Sequence, residues 1–499
     1  MNKGGIFMIY VLPNPVSLKE NDGDFIIDKK LYFIIPKSFS NEGFISISKE
    51  LFSNYTANKF ELEIVKSDNL KNAVISYLSS AKISDAKTEY EYELDVKNDR
   101  IDIISDSEIG IIHAFSSFLQ LISAYSLKNN NCKVKCVTIK DKPSLKFRGM
   151  HLCVFSDTSL LFLRKMVRLL GILKCSHVVL EFWGTLKLDS FKYLAWENSY
   201  TKDDIKPIIE DGKSLGIEFI PMFNHFGHAT YSRSKTGKNV VLDQASEYEE
   251  YFSEDGWTWN VKNEDVLKIH QSIREELCDL FGEGKYFHLG CDEVFMEDFR
   301  YDPYDKEDND TFVNFINKSA KSVLDMGRKP IIWGDMFLIE DDFPYPFCRN
   351  ASGRCYDRKN IDRLLDEIII DDWQYNVEED KDETVKYFME KKKRENIILS
   401  PWDGNVWKGN PTIKGRCALA KKHNLLGVLG TTWNGIYKEI RSMLYTACLM
   451  WEEDETNVDK IALGALTSLG AKNIRKLMPP NGDPQKAGFY GGGEMLNIF

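Results

Sequence analysis

The 499-residue chain has no apolar run near the roughly 18 residues that a membrane span requires. Its opening stretch, MNKGGIFMIYVLPNP, holds one lysine and a short apolar patch broken by prolines, not the continuous apolar core of a secretory signal. No C-x-x-C pair and no H-E-x-x-H occur, which removes the usual sequence marks of structural and catalytic zinc. Basic charge is in short supply. The net charge of −11 and the pI near 5.4 argue against a nucleic-acid partner or an anionic membrane surface. The one dense basic run, Lys391 to Arg394, ends a polar helical stretch and reads as a solvated face. The ten cysteines show no pairing pattern. Cys132 and Cys136 share one expected strand, where four residues span about 13 Å, too far for a bridge. Cys153, Cys175 and Cys291 lie in or beside apolar segments and are expected as buried thiols. A reducing, cytoplasmic setting fits this usage. No metal and no cofactor is expected. His225 and His228 lack a third histidine, the acidic stretch Glu297 to Asp310 lacks the central glycine of a calcium loop, and Gly491 to Gly493 lack a strand–helix setting for phosphate.

What is present is an alternation of two patterns. Residues 1–143 read as a smaller, non-catalytic α/β domain. Short strands are expected at Phe25–Ile27, Leu31–Ile35, Leu62–Val65 and Ala73–Tyr77, then a hairpin turning at Lys97 to Asp99. A helix from Ile109 to Leu127 places Ile112, Phe115, Phe118, Leu119 and Ile122 on one face, and a strand follows at Val134–Ile139. Asp141-Lys142-Pro143 reads as a linker. Residues 144–456 then hold eight apolar runs separated by helical stretches. The runs are Arg148–Phe155, His177–Trp183, Ile217–Phe223, Tyr286–Gly290, Pro330–Trp333, Ile368–Trp373, Asn396–Ser400 and Leu426–Thr431. The helical stretches are 159–173, 202–215, 264–281, 310–326, 358–366, 380–394, 412–423 and 436–451. Short apolar strands alternating with helices signal a parallel sheet buried on both faces, and eight repeats fit a (β/α)8 TIM barrel. A doubly wound open sheet is the structural alternative, but no G-x-G-x-x-G follows the first run. Residues 457–499 are expected to add a helix and a coil packed on the barrel.

Barrel chemistry sits where strands end. The fourth run, YFHLG, leads directly into Asp292 and Glu293, and neighbouring residues at a strand end point in different directions. By itself the pair reads equally well as a helix cap or as two acids with separate duties. The other strand ends tip the balance. They carry Glu181 and Trp183, Asn224 to His228, Trp333 and Asp335, Trp373 and Tyr375, Trp402 and Asp403, and Trp433. Five of the ten tryptophans thus fall at C-terminal strand ends, where core filling calls for aliphatic residues. Indole faces around carboxylates suit a sugar, whereas a phosphate would call for Arg, Lys or helix N-termini, which these ends lack.

With these residues in place, HLGCDEVF resembles the H-x-G-x-D-E signature of glycoside hydrolase family 20, the β-N-acetylhexosaminidases. IKDKPSLKFRGMHL is similar to that family's linker and first barrel strand, FIPMFNHFGHA to its third-strand segment and IIWGDMF to its fifth. The N-terminal domain resembles the non-catalytic domain that commonly precedes the barrel. The likeness covers roughly residues 10 to 450. It implies retaining, exo-acting removal of terminal β-linked N-acetylglucosamine or N-acetylgalactosamine, in which the substrate's own acetamide oxygen is the nucleophile. Carried over, Glu293 is the general acid and then base. Asp292 accepts the acetamide N–H and stabilises the oxazolinium-like intermediate. His228 supports the acids, and Trp333, Trp373 and Trp433 box the acetamide and ring. Glu181, Trp183, Asp335, Tyr375, Trp402 and Asp403 complete the expected binding set. The expected partner is an N-acetylhexosamine-containing glycan, and a homo-oligomer is compatible with the sequence.

The sequence departs from the family at several points. The first strand usually runs on to an aspartate and then to an arginine that holds sugar hydroxyls, and here the corresponding positions are Cys153 and Ser156. LEFWGTL replaces a W-H-L-T-D-type run, which with HLCVF is closer to the hexosaminidase D branch. SPWDGNVW offers no clear match to the tyrosine that bonds the acetamide oxygen, and the family's Trp-x-Glu is Trp433-Asn434-Gly435. Two other readings stay open: a related substrate-assisted glycosidase of different sugar specificity, and a barrel that binds glycans without cleaving them.

Overall fold

Two sheets organise the chain in the computed structural model, which describes residues 9, 11–56, 58–67, 75–78, 90–122, 132–230, 237–294, 306–339, 342–343, 357–375, 381–402 and 411–452. The first sheet contains β1 (Ser17–Ile27), β2 (Lys30–Ile35), β3 (Glu61–Lys66), β4 (Ile75–Leu78), β5 (Tyr92–Val96), β6 (Ile101–Ile104) and β7 (Cys132–Asp141). They lie in the order β1-β7-β5-β6-β4-β2-β3. β1 runs well back from the expected Phe25–Ile27. Its first residues, SLKENDGD, are polar and largely exposed, so no apolar alternation marks them, yet they pair with β7 across a bulge between Glu20 and Asp24. A helix absent from the expected elements spans Glu42–Tyr55. Asn41 caps it by accepting from Phe44 N–H, and Phe44, Ile47, Leu51, Phe52 and Tyr55 face the sheet side. The second helix, Glu108–Leu121, is buried along nearly its whole length because it lies between this sheet and the first barrel helix. It ends at Leu121, with Ile122 leaving the helical conformation, short of the expected Leu127; residues 123–127 lie outside the described residues.

The second sheet holds eight parallel strands: β8 (Phe147–Val154), β9 (His177–Phe182), β10 (Glu218–Pro221), β11 (Tyr286–His288), β12 (Lys329–Trp333), β13 (Ile369–Trp373), β14 (Ile397–Ser400) and β15 (Gly427–Gly430). Hydrogen-bonded neighbours run from β10 through β9, β8 and β15 round to β11. The two edges meet at the parallel bridge between Met222 and His288, where Phe223 N–H donates to the His288 carbonyl at 3.2 Å. The sheet is therefore a nearly closed barrel, and each of the eight expected strands is found within a few residues of its expected ends. Phe147, Val179, Ile220, Ile331, Ile369, Ile398 and Leu429 fill its interior, and Trp333 and Trp373 belong to the same packed cluster. The helix expected over 358–366 is instead a short 3-10 segment, Asn360–Arg363, with Ile361 and Leu364 buried three residues apart, the spacing that a threefold turn eclipses. Among the described residues no helix is long and apolar enough to cross a membrane. The expected helix and coil of 457–499 lie outside the described residues.

A buried polar knot joins the two sheets. Asp141, at the end of β7, accepts from Lys174 Nζ at 2.8 Å, Tyr92 Oη at 2.7 Å and Trp451 Nε1 at 2.8 Å. Lys174 and Asp141 are fully buried, so each charge depends on the other. Nearby, Arg168 of the first barrel helix reaches Glu50 of the N-terminal domain at 2.7 Å and Asp211 at 2.6 Å. These contacts fix the barrel on its neighbour at the face opposite the strand ends.

Candidate active site

The acid pair is presented by a turn and not by strand pleat. β11 stops at His288, after which Gly290, Cys291 and Glu293 take φ values of +70°, +71° and +47°. This corrects the expected strand end at Gly290. Left-handed backbone at two non-glycine residues is rare and here serves to swing the two adjacent carboxylates apart. Gly227, in the loop after β10, makes room for the turn: a Cβ there would stand 2.1 Å from the Asp292 carbonyl oxygen. Trp257 closes the other side, donating from Nε1 to the Glu293 carbonyl at 2.7 Å.

Asp292 is 5% exposed and surrounded by donors. Asn224 Nδ2 donates to Oδ1 at 2.9 Å, while His228 Nε2 lies 3.2 Å and Lys238 Nζ 3.8 Å from Oδ2. Burial by itself would raise its pKa, but Lys238 and His228 outweigh burial and bring the carboxyl down to about 2. Glu293 differs. Its side chain is 34% exposed, with Oε2 3.1 Å from the same His228 Nε2. His228 thus bridges both acids. Burial opposes its charge, yet the charge of Asp292 and the hydrogen bonds that His228 donates to the two carboxylates raise its pKa to about 9. Its ring packs on Trp257 with centroids 4.3 Å apart.

Asp335, just past β12, is buried and ties this turn to the tryptophan wall. Its Oδ2 accepts the Glu293 N–H at 3.0 Å and its Oδ1 the Trp373 Nε1–H at 3.2 Å. Burial, then the charge of Asp292, pushes its carboxyl well above the usual range. Around a cavity of about 270 Å³ stand Trp183, His228, Lys238, Asp292, Glu293, Trp333, Trp373, Tyr375, Trp402 and Trp433. Trp433 Nε1 donates to Tyr375 Oη at 2.8 Å, Trp373 packs on Tyr375 at 4.9 Å, and Trp402 Nε1 donates to Glu439 at 2.7 Å. Trp333 lies between His288 and Trp433, with centroids 4.5 Å and 6.0 Å away.

Of the expected site residues, Asp292, Glu293, His228, Trp183, Trp333, Trp373, Tyr375, Trp402 and Trp433 line one cavity. Glu181 and Asp335 stand directly behind it as partners of lining residues, and Asp403 lies outside the described residues. Two functional residues were missed. Asn224 sits in a segment already singled out, where its amide was passed over for the histidines. Lys238 follows the polar run YSRSKTG in the sequence, a setting in which a lysine reads as solvated. His225 takes no part: its Nδ1 lies 2.7 Å and 3.1 Å from the carbonyls of Phe223 and Leu289, pinning β10 to the turn after β11. His151, Cys153 and Glu181 place potential ligand atoms within 4.8 Å of one another. Burial holds the Cys153 thiol protonated, and Glu181 already takes Lys238 at 2.8 Å and Trp183 Nε1 at 2.9 Å, so this group is an ion-pair network and a poor cation site.

Sequence comparison then decides the family. The profile of "Glycosyl hydrolase family 20, catalytic domain" matches residues 137–446, and that of "Glycosyl hydrolase family 20, domain 2" matches residues 8–142. The chain belongs to glycosyl hydrolase family 20. A Bifidobacterium bifidum lacto-N-biosidase is 26% identical over 261 residues, 49% of this chain and 22% of that protein. A β-hexosaminidase of Emericella nidulans is 24% identical over 296 residues, 51% of this chain and 47% of that protein. The chain thus spans half or less of the length of these two relatives. Among solved structures, the Flavobacterium johnsoniae chitobiase superposes with a TM-score of 0.68 at 19% identity, covering 95% of this chain and 76% of that one, which shows the shared fold. At the end of the first barrel strand, Cys153 is buried beside Glu181 with Sγ 3.6 Å from Oε2. Tyr375, two residues past the end of the sixth barrel strand, also lines the cavity.

Proposed function

We propose that the protein is an exo-acting, retaining glycoside hydrolase that removes a terminal β-linked N-acetylhexosamine by substrate-assisted catalysis. The observation that carries this reading is the division of labour between adjacent acids. Asp292 is enclosed and held ionised by Asn224, His228 and Lys238, while Glu293 stays partly open to the cavity. An ionised acceptor suits an acetamide N–H and, once the oxygen of that acetamide bonds to C1, the positive charge of the ring that forms. Glu293 donates its proton to the leaving oxygen as the C1–O bond breaks. It then takes a proton from the water that attacks C1 and reopens the oxazolinium, so the anomeric configuration is retained. The tryptophans supply flat apolar faces for the acetamide methyl and the sugar ring, with Tyr375 Oη among them as a polar contact. A cavity of about 270 Å³ lies just under the roughly 300–1,000 Å³ of drug-sized ligand sites and suits one sugar unit.

A second reading, release of a disaccharide unit, is favoured by the likeness to the lacto-N-biosidase. One set of assays separates the possibilities. Release of p-nitrophenol from the β-N-acetylglucosaminide or its galacto epimer, blocked by a thiazoline mimic of the cyclised intermediate and lost in Glu293→Gln, supports the first reading. Turnover only of a disaccharide glycoside supports the second. Full activity of Glu293→Gln on the monosaccharide substrate would overturn the assignment of the proton donor.

A further inference from the structure

Lys238 lines the cavity from the loop after β10, and its side chain is only 3% exposed. Its Nζ stands 2.8 Å from Glu181 Oε1 and 3.8 Å from Asp292 Oδ2, and 5.5 Å and 5.2 Å from the ring centroids of Trp183 and Trp433. Glu181 is its near ionic partner, and among the described residues Nζ has no further hydrogen-bond acceptor. An ammonium carries three donors, so this one retains hydrogen-bonding capacity at the cavity wall. Two carboxylates already stand about the ammonium, Glu181 at 2.8 Å and Asp292 at 3.8 Å. A third anion there would be repelled by them, so the fitting acceptor is an uncharged oxygen, such as a hydroxyl, and not a sulfate or a carboxylate.

Which hydroxyl follows from Asp292. If Asp292 accepts the acetamide N–H on C2, a donor 3.8 Å from its Oδ2 falls beside the neighbouring substituent of the ring, because vicinal equatorial groups on a pyranose are gauche neighbours. We propose that Lys238, held in place by Glu181, donates a hydrogen bond to the 3-hydroxyl of the sugar. It does so from the loop after the third strand, whereas the C-terminal end of the first strand offers Cys153 and, just beyond it, Ser156, with no arginine at that end. His151 Nε2, 3.1 Å from Glu181 Oε2, and Trp183 Nε1, 2.9 Å from the same oxygen, fix the carboxylate that aims the ammonium. This inference rests on the reading of Asp292 as the acetamide acceptor.

The test compares kcat/KM for p-nitrophenyl β-N-acetylglucosaminide and its 3-deoxy analogue in the wild-type protein and in Lys238→Met. Taking the ratio between proteins cancels the intrinsic reactivity of the two glycosides. The wild type is expected to favour the parent over the analogue by about 10- to 100-fold more than Lys238→Met does, the range for a charged hydrogen bond. An unchanged ratio in Lys238→Met would show that the lysine only balances charge, and would overturn the proposal. Should that variant fold poorly, inhibition of the wild type by N-acetylglucosamine and by its 3-deoxy form gives the same answer, equal inhibition constants overturning it. A wild-type protein inert toward every β-N-acetylhexosaminide would instead remove the underlying activity. The two failures are therefore distinct.

Discussion

The backbone N–H of Glu293 donates to Asp335 Oδ2 across 3.0 Å, fastening the turn after the fourth barrel strand to the end of the fifth. Asp335 also holds the Trp373 indole, so one buried acid positions both the proposed proton carrier and a wall of the cavity. Asp335→Ala is expected to lower kcat by about 10- to 100-fold on a good substrate, since it frees a backbone donor and an indole N–H at once. Asp335→Asn keeps an acceptor oxygen and should fall less. Equal losses in the two variants would show that the bond to Glu293 is immaterial.

Stability should peak on a plateau set by the acid–histidine cluster. His228 has a folded pKa near 9, raised above its unfolded value of 6.5, so its contribution is full below about 6.5 and disappears as the pH climbs through 9. Asp292 has a folded pKa near 2, depressed below 3.8, so its contribution is full above about 4 and is lost as the pH falls toward 2. The groups facing His228 are Asp292, Glu293 and, at longer range, Lys238. Denaturant titrations from pH 5 to pH 9.5 should show the wild type losing up to about 3 kcal/mol on the alkaline side, on top of the background that His228→Gln also shows. Parallel curves for the two proteins would contradict the coupling.

Gly227→Ala tests the close approach of the loops. Because an added Cβ meets the Asp292 carbonyl oxygen at 2.1 Å, either the loop or the acid turn must move. We expect a stability loss of about 2–4 kcal/mol together with a fall in kcat, by the overpacking route. A variant with wild-type melting temperature and kinetics would show that the turn gives way at no cost.

At the opposite face, Asp141→Ala should strand the Lys174 ammonium in the domain interface and cost about 3–5 kcal/mol. The pair Asp141→Leu with Lys174→Met removes both charges and should recover most of that loss. Chemical denaturation of the single and double variants measures it, and a double variant no better than Asp141→Ala would locate the cost in Tyr92 and Trp451 instead.

Much of the barrel was legible because its strands are buried on both faces and so appear as short apolar runs, as in Ile397–Ser400 and Gly427–Gly430. β1 was not legible beyond Phe25, since an exposed strand is held by ladder bonds that any polar residue can make. The helix Glu42–Tyr55 did carry its signals, a capping Asn41 and apolar residues at helical spacing, and was overlooked among the strands around it. In the site, aromatic residues at strand ends marked the cavity wall because indoles are rare elsewhere in such a core. Lys238 left no mark. A lysine after a polar loop looks solvated, and its burial depends on Glu181 and Asp292, 57 and 54 positions away by residue number. The direction of the acid pair was also hidden, as it comes from left-handed backbone that the residue types at 291 and 293 give no reason to expect.

That backbone sets chain folding and chemistry against each other at one position. At φ +47°, glycine or asparagine would sit more comfortably than glutamate at residue 293. A library of variants selected for heat tolerance alone should therefore drift there toward glycine and asparagine, and its sturdiest members would be those that had discarded their proton donor.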